Sequence, residues 1–265
     1  MIKNITFGTR GSPLAMVQTN TVISKLKKFY PHIKYRSKII ETHGDKYQDS
    51  SLTLAEELGL FYNEIQSDLI INNIDAAVHS LKDIPVEYSK KLYLVAIPER
   101  VDAEDVLYHP QGLSINNLPP DPVIGTCSLR RRGQIINLRK DVLIKDIRGN
   151  IKTRINKVHS GQYDATILAA AGLIRLGYDI SKYYVFNFDE ITPAPGQGAL
   201  AVETRRDNGE LIKMISPIDN LKITQNQAGL IIGSSSNKLD FNNIQIIDNT
   251  ADRIMSLHES TSILN

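Results

Sequence analysis

The sequence has 265 residues, of which 42% are hydrophobic and 23% are charged, the ordinary balance of a globular protein. This length is sufficient for two or three domains that each have a core of their own. Lys and Arg total 31 and Asp and Glu total 29, so the formal net charge of +2 argues against binding nucleic acid or a membrane surface through overall charge, although a local basic pocket remains compatible with it.

Segments with strand and helix character alternate along the first hundred residues. Residues 2–9 read as a strand, and Ser12 followed by Pro13 is typical of a helix N-cap with proline at the first helical position. Tyr30 precedes Pro31 and ends this helix, because the residue before a proline disfavours helical dihedrals. The other elements predicted here are strands at 33–41, 74–80 and 92–97 and a helix at 61–73.

A cluster of charged residues at 99–105 marks a crossover into a second domain. Because strands and helices continue to alternate there, we expect parallel sheets with right-handed crossovers. After a loop at 192–198 that is rich in Gly and Pro, a further strand is predicted. The elements predicted beyond residue 105 are strands at 123–126, 142–147, 164–169, 199–204, 229–233 and 244–247 and helices at 128–139, 151–159, 170–176 and 250–258.

Three polar segments open predicted helices directly after predicted strands, at residues 9–12, 126–132 and 148–154. Each joins hydroxyl or amide donors to arginine, whose guanidinium group binds carboxylates or phosphates in bidentate fashion. Helix N-termini at the carboxyl ends of strands favour anions as well. One such segment alone is more often a cap and a solvated helix face. Three together predict a pocket for a polyanion, whose chemical identity stays open.

A fourth polar segment, at residues 79–85, follows a short buried strand. Asp83 has the chemistry of a general acid or base, or of a group that stabilises a developing cation, and Lys82 is suited to keep Asp83 ionised or to bind a substrate carboxylate. Taken alone, a solvated loop with Asp83 as a helix cap is the simpler interpretation. His79 is expected to be a packed and satisfied core residue.

The single cysteine, Cys127, excludes an intramolecular disulfide, and the scattered histidines give no metal site. The sequence has neither a P-loop nor a dinucleotide-binding fingerprint, so we expect no metal and no nucleotide cofactor. The first residues lack the apolar core of a signal peptide, and no apolar run approaches the ~20 residues that span a bilayer. We therefore expect a cytoplasmic protein without a membrane partner.

Five segments stand in order over about residues 1–205: TRGSPLA (9–15), AVHSLKDIP (77–85), GTCSLRR (125–131), IRGNIKTR (147–154) and PGQGA (195–199). Together they resemble the signature segments of the porphobilinogen deaminase (hydroxymethylbilane synthase) family. The resemblance implies two α/β domains like those of periplasmic binding proteins, with the active cleft between them, and a small, shortened α+β C-terminal domain. The implied domains are 1–98 with 192–208, 99–191, and 209–265.

The reaction implied by the resemblance condenses four porphobilinogens into hydroxymethylbilane with loss of ammonia, in tetrapyrrole and haem biosynthesis. Asp83 matches the catalytic carboxylate of the family. The implied partners are porphobilinogen and its oligomers, without nucleic acid, and the implied state is a monomer. The positions that match substrate- or cofactor-binding residues are Arg10, Ser12, Phe61, Lys82, Thr126, Ser128, Arg130, Arg131, Arg148, Arg154 and Gln197.

The sequence departs from the family at the attachment point of the dipyrromethane cofactor, which the family carries as a thioether on a third-domain cysteine. The nearest match to the attachment segment is 213–219, where the cysteine position falls near Met214, whose own thioether cannot form this bond. The helix that normally precedes this loop is expected to be missing, because residues 202–206 run almost directly into it. Cys127 occupies a Ser or Thr place in the substrate loop and is no replacement by position.

Three hypotheses follow. In the first, the chain is an authentic deaminase that holds its primer noncovalently or by another route. In the second, it is a degenerate member of the family that binds pyrrole carboxylates or another small polyanion without turnover. In the third, it is a two-lobed module that binds or senses small anions. The missing export signal counts against a periplasmic binder, and the presence of Lys82, Asp83 and the arginines favours chemistry over binding alone.

Overall fold

A computed structural model describes residues 2–42, 63–85 and 89–219, together with the backbone of two short strands at 222–224 and 245–247. The helices are α1 Pro13–Phe29, α2 Asn63–Ile70, α3 Leu129–Leu138, α4 Ile151–His159, α5 Ala170–Arg175 and α6 Gly209–Ile215. The strands are β1 Asn4–Thr9, β2 Lys34–Ile39, β3 Ala76–Ser80, β4 Leu92–Ala96, β5 Asp105–Tyr108, β6 Val123–Gly125, β7 Leu143–Lys145, β8 Ala165–Ala169, β9 Tyr184–Val185, β10 Leu200–Arg205, β11 Lys222–Thr224 and β12 Gln245–Ile247.

Two five-stranded sheets share one pattern of strand order. The sheet of the first lobe has the order β2-β1-β3-β10-β4, and the sheet of the second lobe has the order β7-β6-β8-β5-β9. In each sheet the first three strands run parallel, as expected from the sequence. A separate parallel pair joins β11 to β12.

The expectation of wholly parallel sheets is wrong for the fourth strand of each lobe. β10 runs antiparallel to β3 and β4, and β5 runs antiparallel to β8 and β9. Both strands arrive from the other lobe rather than through a crossover helix on their own sheet, so the handedness rule for βαβ units does not govern them. We call β10 and β5 the crossing strands.

Residues that follow β10 contribute to the core of the first lobe. Leu211 and Ile215 on α6 are completely buried in the core between α1 and the first sheet, because residues four apart lie on one helix face. The Asp219 carboxylate accepts a 2.7 Å bond from the Ile97 amide. Residues 209–219 therefore pack against the first lobe, and the domain boundaries stay a prediction.

The expected loss of a family helix before the attachment loop stays a prediction. A short helix, α6, follows β10 and includes the first residues of the 213–219 segment predicted to be this loop. Met214 lies within this helix and packs against the first core, so it does not occupy a loop where a cofactor would be attached. The predicted strand at 229–233 and helix at 250–258 lie outside the described residues. Within the described part of the chain, no helix is both long and apolar enough to cross a membrane.

The three predicted anion-binding segments begin helices, as expected. Ser12 caps α1 by accepting a 3.3 Å bond from the Ala15 amide, and Ser128 caps α3 by accepting a 3.4 Å bond from the Arg131 amide. Asn150 caps α4 through a 2.9 Å bond. These caps accept from amides that a helix leaves unpaired at its N-terminus, which fixes the start of each helix beyond a strand.

Candidate active site

The turn after β3 carries Lys82 and Asp83. This 3₁₀ turn spans Leu81–Asp83, and both charged side chains are exposed to solvent. The pKa of Lys82 is nevertheless lowered, first because surrounding protein desolvates the ammonium and second because Arg131 repels it. A group that reaches solvent while protein surrounds it lies on the wall of a cleft. The geometry thus brings an exposed carboxylate and a partly desolvated cation to one place.

The turn is fixed from two sides. Ser80 accepts a 2.9 Å hydrogen bond from the side-chain amide of Gln18, which is buried on α1. On the other side lies Gly196, where a Cβ atom would stand 2.8 Å from Leu81 Cγ and where φ is +71°. Glycine is required there for both the backbone conformation and the close approach.

A buried carboxylate that the sequence interpretation overlooked, Asp105, holds two of the predicted anion-binding arginines. Asp105 Oδ2 accepts a 2.7 Å bond from Arg130 Nη2, and Oδ1 accepts a 2.7 Å bond from Arg131 Nη2. Burial alone would raise the pKa of Asp105, but the charges and hydrogen bonds of Arg131 and Arg130 bring it below its ordinary value. The carboxylate is therefore ionised at neutral pH. In the sequence it is one of several acids at 99–105, with no local signal that sets it apart.

The two neighbouring arginines differ in their surroundings. Arg131 is 7% exposed; its Nη1 donates to the Ile167 carbonyl, and its buried Nε has no hydrogen-bond partner among the described residues. Arg130 is more accessible and also donates to the Thr192 carbonyl. Arg131, predicted to contact substrate, is thus directed largely into the protein, whereas Arg130 reaches the surface of the cleft.

Two further predicted arginines approach this pair. Arg154 Nε donates to the Gly149 carbonyl at 2.8 Å. The pKa of Arg154 is lowered, first by desolvation and then by repulsion from Arg131 and Arg148, while Cys127 acts in the opposite direction. Mutual repulsion of this kind requires proximity, and a cluster of like charges gains stability from a bound anion.

The loop between β6 and α3 places its short side chains beside these arginines. Thr126 Oγ1 accepts a 3.1 Å bond from the Ser128 amide, and Ser128 itself caps α3. Accepting a bond uses only an oxygen lone pair, so each hydroxyl keeps a proton to donate to a ligand. Cys127 is half-buried, with its thiol 3.2 Å from the Ile147 carbonyl.

The structure also locates the remaining predicted residues. Arg10 and Ser12 follow β1 at the start of α1, on the first lobe, and both are partly accessible. Phe61 lies outside the described residues. Gln197 is completely buried, and its side chain bonds to Lys82, to Asp105 and to the Ala103 and Glu104 carbonyls, while its contact with a ligand stays a prediction.

One further arginine was overlooked in the sequence. Arg175, at the end of α5, is half-buried, and its Nη2 donates to the Gly198 carbonyl at 2.7 Å. Burial lowers the pKa of Arg175 to about 10, so the group remains charged at neutral pH. Arg175 lies in the last turn of its helix, so the signal that identified the other arginines, a position at a helix N-terminus beside hydroxyl or amide donors, does not apply to it.

Residues 5–213 match the family described as "Porphobilinogen deaminase, dipyromethane cofactor binding domain". The chain belongs to the porphobilinogen deaminase family. A probable porphobilinogen deaminase of Nitrosopumilus maritimus (strain SCM1) is 44% identical over 213 residues, which are 80% of this chain and 68% of that protein. The porphobilinogen deaminase of Geobacillus kaustophilus (strain HTA426) is 44% identical over 221 residues, 83% of this chain and 71% of that protein.

Among solved structures, the methionine-binding protein MetQ is similar to this porphobilinogen deaminase family member with a TM-score of 0.50 at 13% sequence identity. The similarity covers 82% of this chain and 89% of that one. At this identity the likeness concerns the fold alone. It confirms the expectation of two α/β lobes of the periplasmic-binding-protein kind.

Proposed function

We propose that this chain catalyses the condensation of four porphobilinogens into hydroxymethylbilane, with release of one ammonia per porphobilinogen, in tetrapyrrole biosynthesis. One observation carries this proposal: the exposed Asp83 carboxylate lies beside Lys82, which is connected through Gln197 and Asp105 to Arg130 and Arg131 of the other lobe. A single cleft thus combines a carboxylate able to stabilise a cation with guanidinium groups able to hold a substrate rich in carboxylates.

Each condensation breaks one C–N bond and forms one C–C bond. The aminomethyl group of porphobilinogen, protonated as an ammonium, leaves as ammonia with the electron pair of the broken C–N bond, and an azafulvene cation results. A pyrrole α-carbon of the growing chain attacks the exocyclic methylene and then loses its proton. The Asp83 carboxylate accepts hydrogen bonds from pyrrole N–H groups and stabilises the positive charge through both events.

The cations of the cleft bind the acetate and propionate groups of the pyrroles. We assign an indirect role to the buried Arg131, because both of its Nη atoms donate to protein groups, and direct contacts to the other cations and to the hydroxyl groups beside them. Because the substrate chain carries two carboxylates per pyrrole, several separated cations hold it in register for each new condensation. The residues proposed to contact substrate or cofactor are Arg10, Ser12, Lys82, Thr126, Ser128, Arg130, Arg148 and Arg154.

The family's dipyrromethane cofactor fits the donor set of this cleft. Arg131 Nε is a buried donor without a partner among the described residues, and the repulsion that lowers the pKa of Arg154 is relieved by a bound carboxylate. When bound, dipyrromethane supplies the free pyrrole α-carbon at which the chain starts. The sole thiol in these 265 residues belongs to Cys127. We propose that Arg148, Arg154 and Lys82 hold the cofactor by charge, without a thioether near residue 214.

Intact mass under denaturing conditions, combined with porphobilinogen turnover followed as uroporphyrin fluorescence, tests the proposal. We expect turnover from a chain whose mass equals that of the unmodified sequence. An adduct of two pyrrole units would overturn noncovalent binding of the cofactor. Porphobilinogen binding without turnover, even after dipyrromethane is supplied, would instead support a member of the family that binds pyrroles and does not react them.

We further propose that the protein acts in the cytoplasm as a monomer and binds no nucleic acid. The near-neutral formal charge of +2 supports the absence of a nucleic-acid partner, since nothing in the overall charge attracts a polyanionic macromolecule. Sedimentation of the purified chain at several concentrations checks the monomer, and a concentration-dependent mass would contradict it.

A further inference from the structure

Asp105 is the first residue of β5, where the chain has just crossed into the second lobe. It is completely buried, and its two carboxylate oxygens accept three side-chain hydrogen bonds. Two come from Arg130 and Arg131 at 2.7 Å, and the third comes from Gln197 Nε2 at 2.9 Å. A buried charge with this many charge-assisted bonds fixes the position of its partners rather than leaving them mobile.

Gln197 lies in the loop that leads into β10, the crossing strand of the first lobe, just as Asp105 lies at the start of β5, the crossing strand of the second lobe. Its Nε2 donates to Asp105 and to the Ala103 carbonyl at 2.7 Å, while its Oε1 accepts a 3.3 Å bond from Lys82 Nζ. The neighbours determine the orientation of the amide, because the reverse orientation would set oxygen against a carboxylate and a carbonyl. The side chain therefore has a donor end toward the second lobe and an acceptor end toward Lys82.

These bonds form a continuous polar connection between the lobes. It runs from Lys82, after β3 of the first sheet, through Gln197 and Asp105 to the arginine pair on α3 of the second lobe. The backbone supports the same junction, since the Gln197 carbonyl accepts a 2.7 Å bond from Arg100 Nε in the crossover. The connection thus begins one residue from the proposed catalytic carboxylate.

We propose that Asp105 and Gln197 are positioning residues that hold Lys82 of the first lobe and the Arg130–Arg131 pair of the second lobe as one set of cations across the cleft. This inference rests on the proposed function, since it assigns the set to the carboxylates of the pyrrole substrate. Neither residue touches substrate. Each acts through the cations that it holds.

The competing role for Asp105 is neutralisation. An acid between two arginines reduces the local positive charge, so its removal would strengthen anion binding if charge alone mattered. If instead Asp105 determines where the guanidinium groups point, its removal weakens binding although the cleft becomes more positive. The two roles predict changes of opposite sign, and a binding measurement separates them.

Asp105→Asn removes the charge with little change of shape, and Gln197→Met removes the polar link while it leaves every charge in place. The matched control is Asp102→Asn, which removes one carboxylate from the same crossover at an exposed position. Citrate is the probe, because its binding is measured by calorimetry without turnover. We expect both variants to bind citrate about tenfold or more weakly, the scale of one lost charge-assisted hydrogen bond, and the control to bind as wild type.

Porphobilinogen kinetics distinguish positioning from damage to the fold. Loss of carboxylate binding raises KM with little change in kcat, whereas partial unfolding lowers the active fraction and leaves KM unchanged. Because Asp105→Asn leaves two arginines without their buried counter-charge, thermal unfolding of that variant is measured alongside. If it does not fold, Gln197→Met carries the test, since it buries no unpaired charge.

The pH dependence of citrate binding provides a second test of the positioning role. The charges that act on Lys82 are Arg131, Asp83, Asp105 and Arg130; the arginines lower the pKa of Lys82 and the two acids raise it. The ammonium is charged at low pH and loses its proton as pH rises through this lowered pKa. Citrate binding in Asp105→Asn should therefore decline at lower pH than in wild type, and Asp102→Asn should not shift it.

The outcomes separate this inference from the proposed function. Citrate affinity that is unchanged or increased in both folded variants overturns the positioning role, even where wild type turns over porphobilinogen normally. If wild type shows no turnover while both variants lose citrate affinity, the proposed function fails and the connection between the lobes still stands.

Discussion

The two lobes share a strand order but differ in the buried acid on the crossing strand. In the first lobe, Glu203 on β10 is completely buried and lies 3.0 Å from His79 Nε2 on the adjacent β3. In the second lobe, Asp105 on β5 pairs with two arginines on a helix. The first acid is thus paired with a neighbouring strand and with Gln66 on α2, all in its own lobe, while the second holds cations that belong to the cleft.

This difference shows how two sheets with the same strand order contribute differently to the cleft. A crossing strand enters the middle of a sheet, where polar groups are costly unless they are paired. The first lobe meets this requirement locally, which leaves the turn after β3 to present Asp83. The second lobe meets it with Arg130 and Arg131, so its buried charge also organises the anion site. The first lobe supplies the proposed reactive carboxylate, and the second supplies most of the cations.

The largest effect is expected from Asp83→Ala, which removes the reactive group of the first lobe. We expect porphobilinogen turnover to fall by about 10²–10⁴-fold or more, the usual contribution of a positioned acid–base group. Because Asp83 is exposed, the free energy of unfolding should change by no more than about 0.5 kcal/mol. Turnover and urea unfolding are measured on the same preparation. Rates like those of wild type would refute the assignment.

Gly198→Ala is expected to disturb the junction where the two crossings of the chain meet. Gly198 has φ +88°, and an added Cβ would stand 2.3 Å from the Val101 carbonyl oxygen, which is backbone and cannot rotate away. Backbone strain and overpacking together should cost about 2–4 kcal/mol. Gly161→Ala is the matched control, because Gly161 has φ +74° and open space around it.

The difference between the two glycine variants, measured by thermal unfolding, isolates the steric part. If Gly198→Ala is no more destabilised than Gly161→Ala, the junction is looser than the structure indicates. The bond that Arg175 donates to the Gly198 carbonyl would then not hold the two lobes in a fixed arrangement.

The sequence was a good guide to local structure, while the predicted site residues stay a prediction. Helix ends were predicted from local signals. The helices α1 and α3 begin after the caps Ser12 and Ser128, and α1 ends just before Pro31. The antiparallel direction of β5 and β10 was not predictable in this way, because it depends on which lobe the chain leaves.

The role of Asp105 was hidden for a related reason. Its partners lie 25 and 26 residues ahead on α3 and 92 residues ahead at Gln197, and no periodicity joins such positions. Gln197 in turn stands within a segment typical of the family, so the resemblance indicated its importance without showing that it is buried. Burial and pairing across lobes required the folded chain.

A smaller effect is expected when the buried pair of the first lobe is broken. His79→Phe keeps a ring but removes the 3.0 Å bond between His79 Nε2 and Glu203 Oε2, while Gln66 still donates to Oε1 at 3.3 Å. Loss of one buried hydrogen bond to a charged group costs about 1–3 kcal/mol. His32→Phe, at an exposed position, is the control. Urea unfolding of both variants gives the difference, and equal stabilities would mean that the pair contributes nothing to the first lobe.

The smallest effect is expected at the two equivalent helix caps, Ser12 of the first lobe and Ser128 of the second. Their bonds to the helix amides are 3.3 and 3.4 Å long, so Ser12→Ala and Ser128→Ala should each cost about 1 kcal/mol of stability or slightly less. Citrate binding should separate them, because Ser128 begins the helix that carries Arg130 and Arg131. We expect a clear loss of affinity in Ser128→Ala and a smaller one in Ser12→Ala. Equal losses of affinity would show that the anion site is shared evenly between the lobes, against the asymmetry that their buried acids indicate.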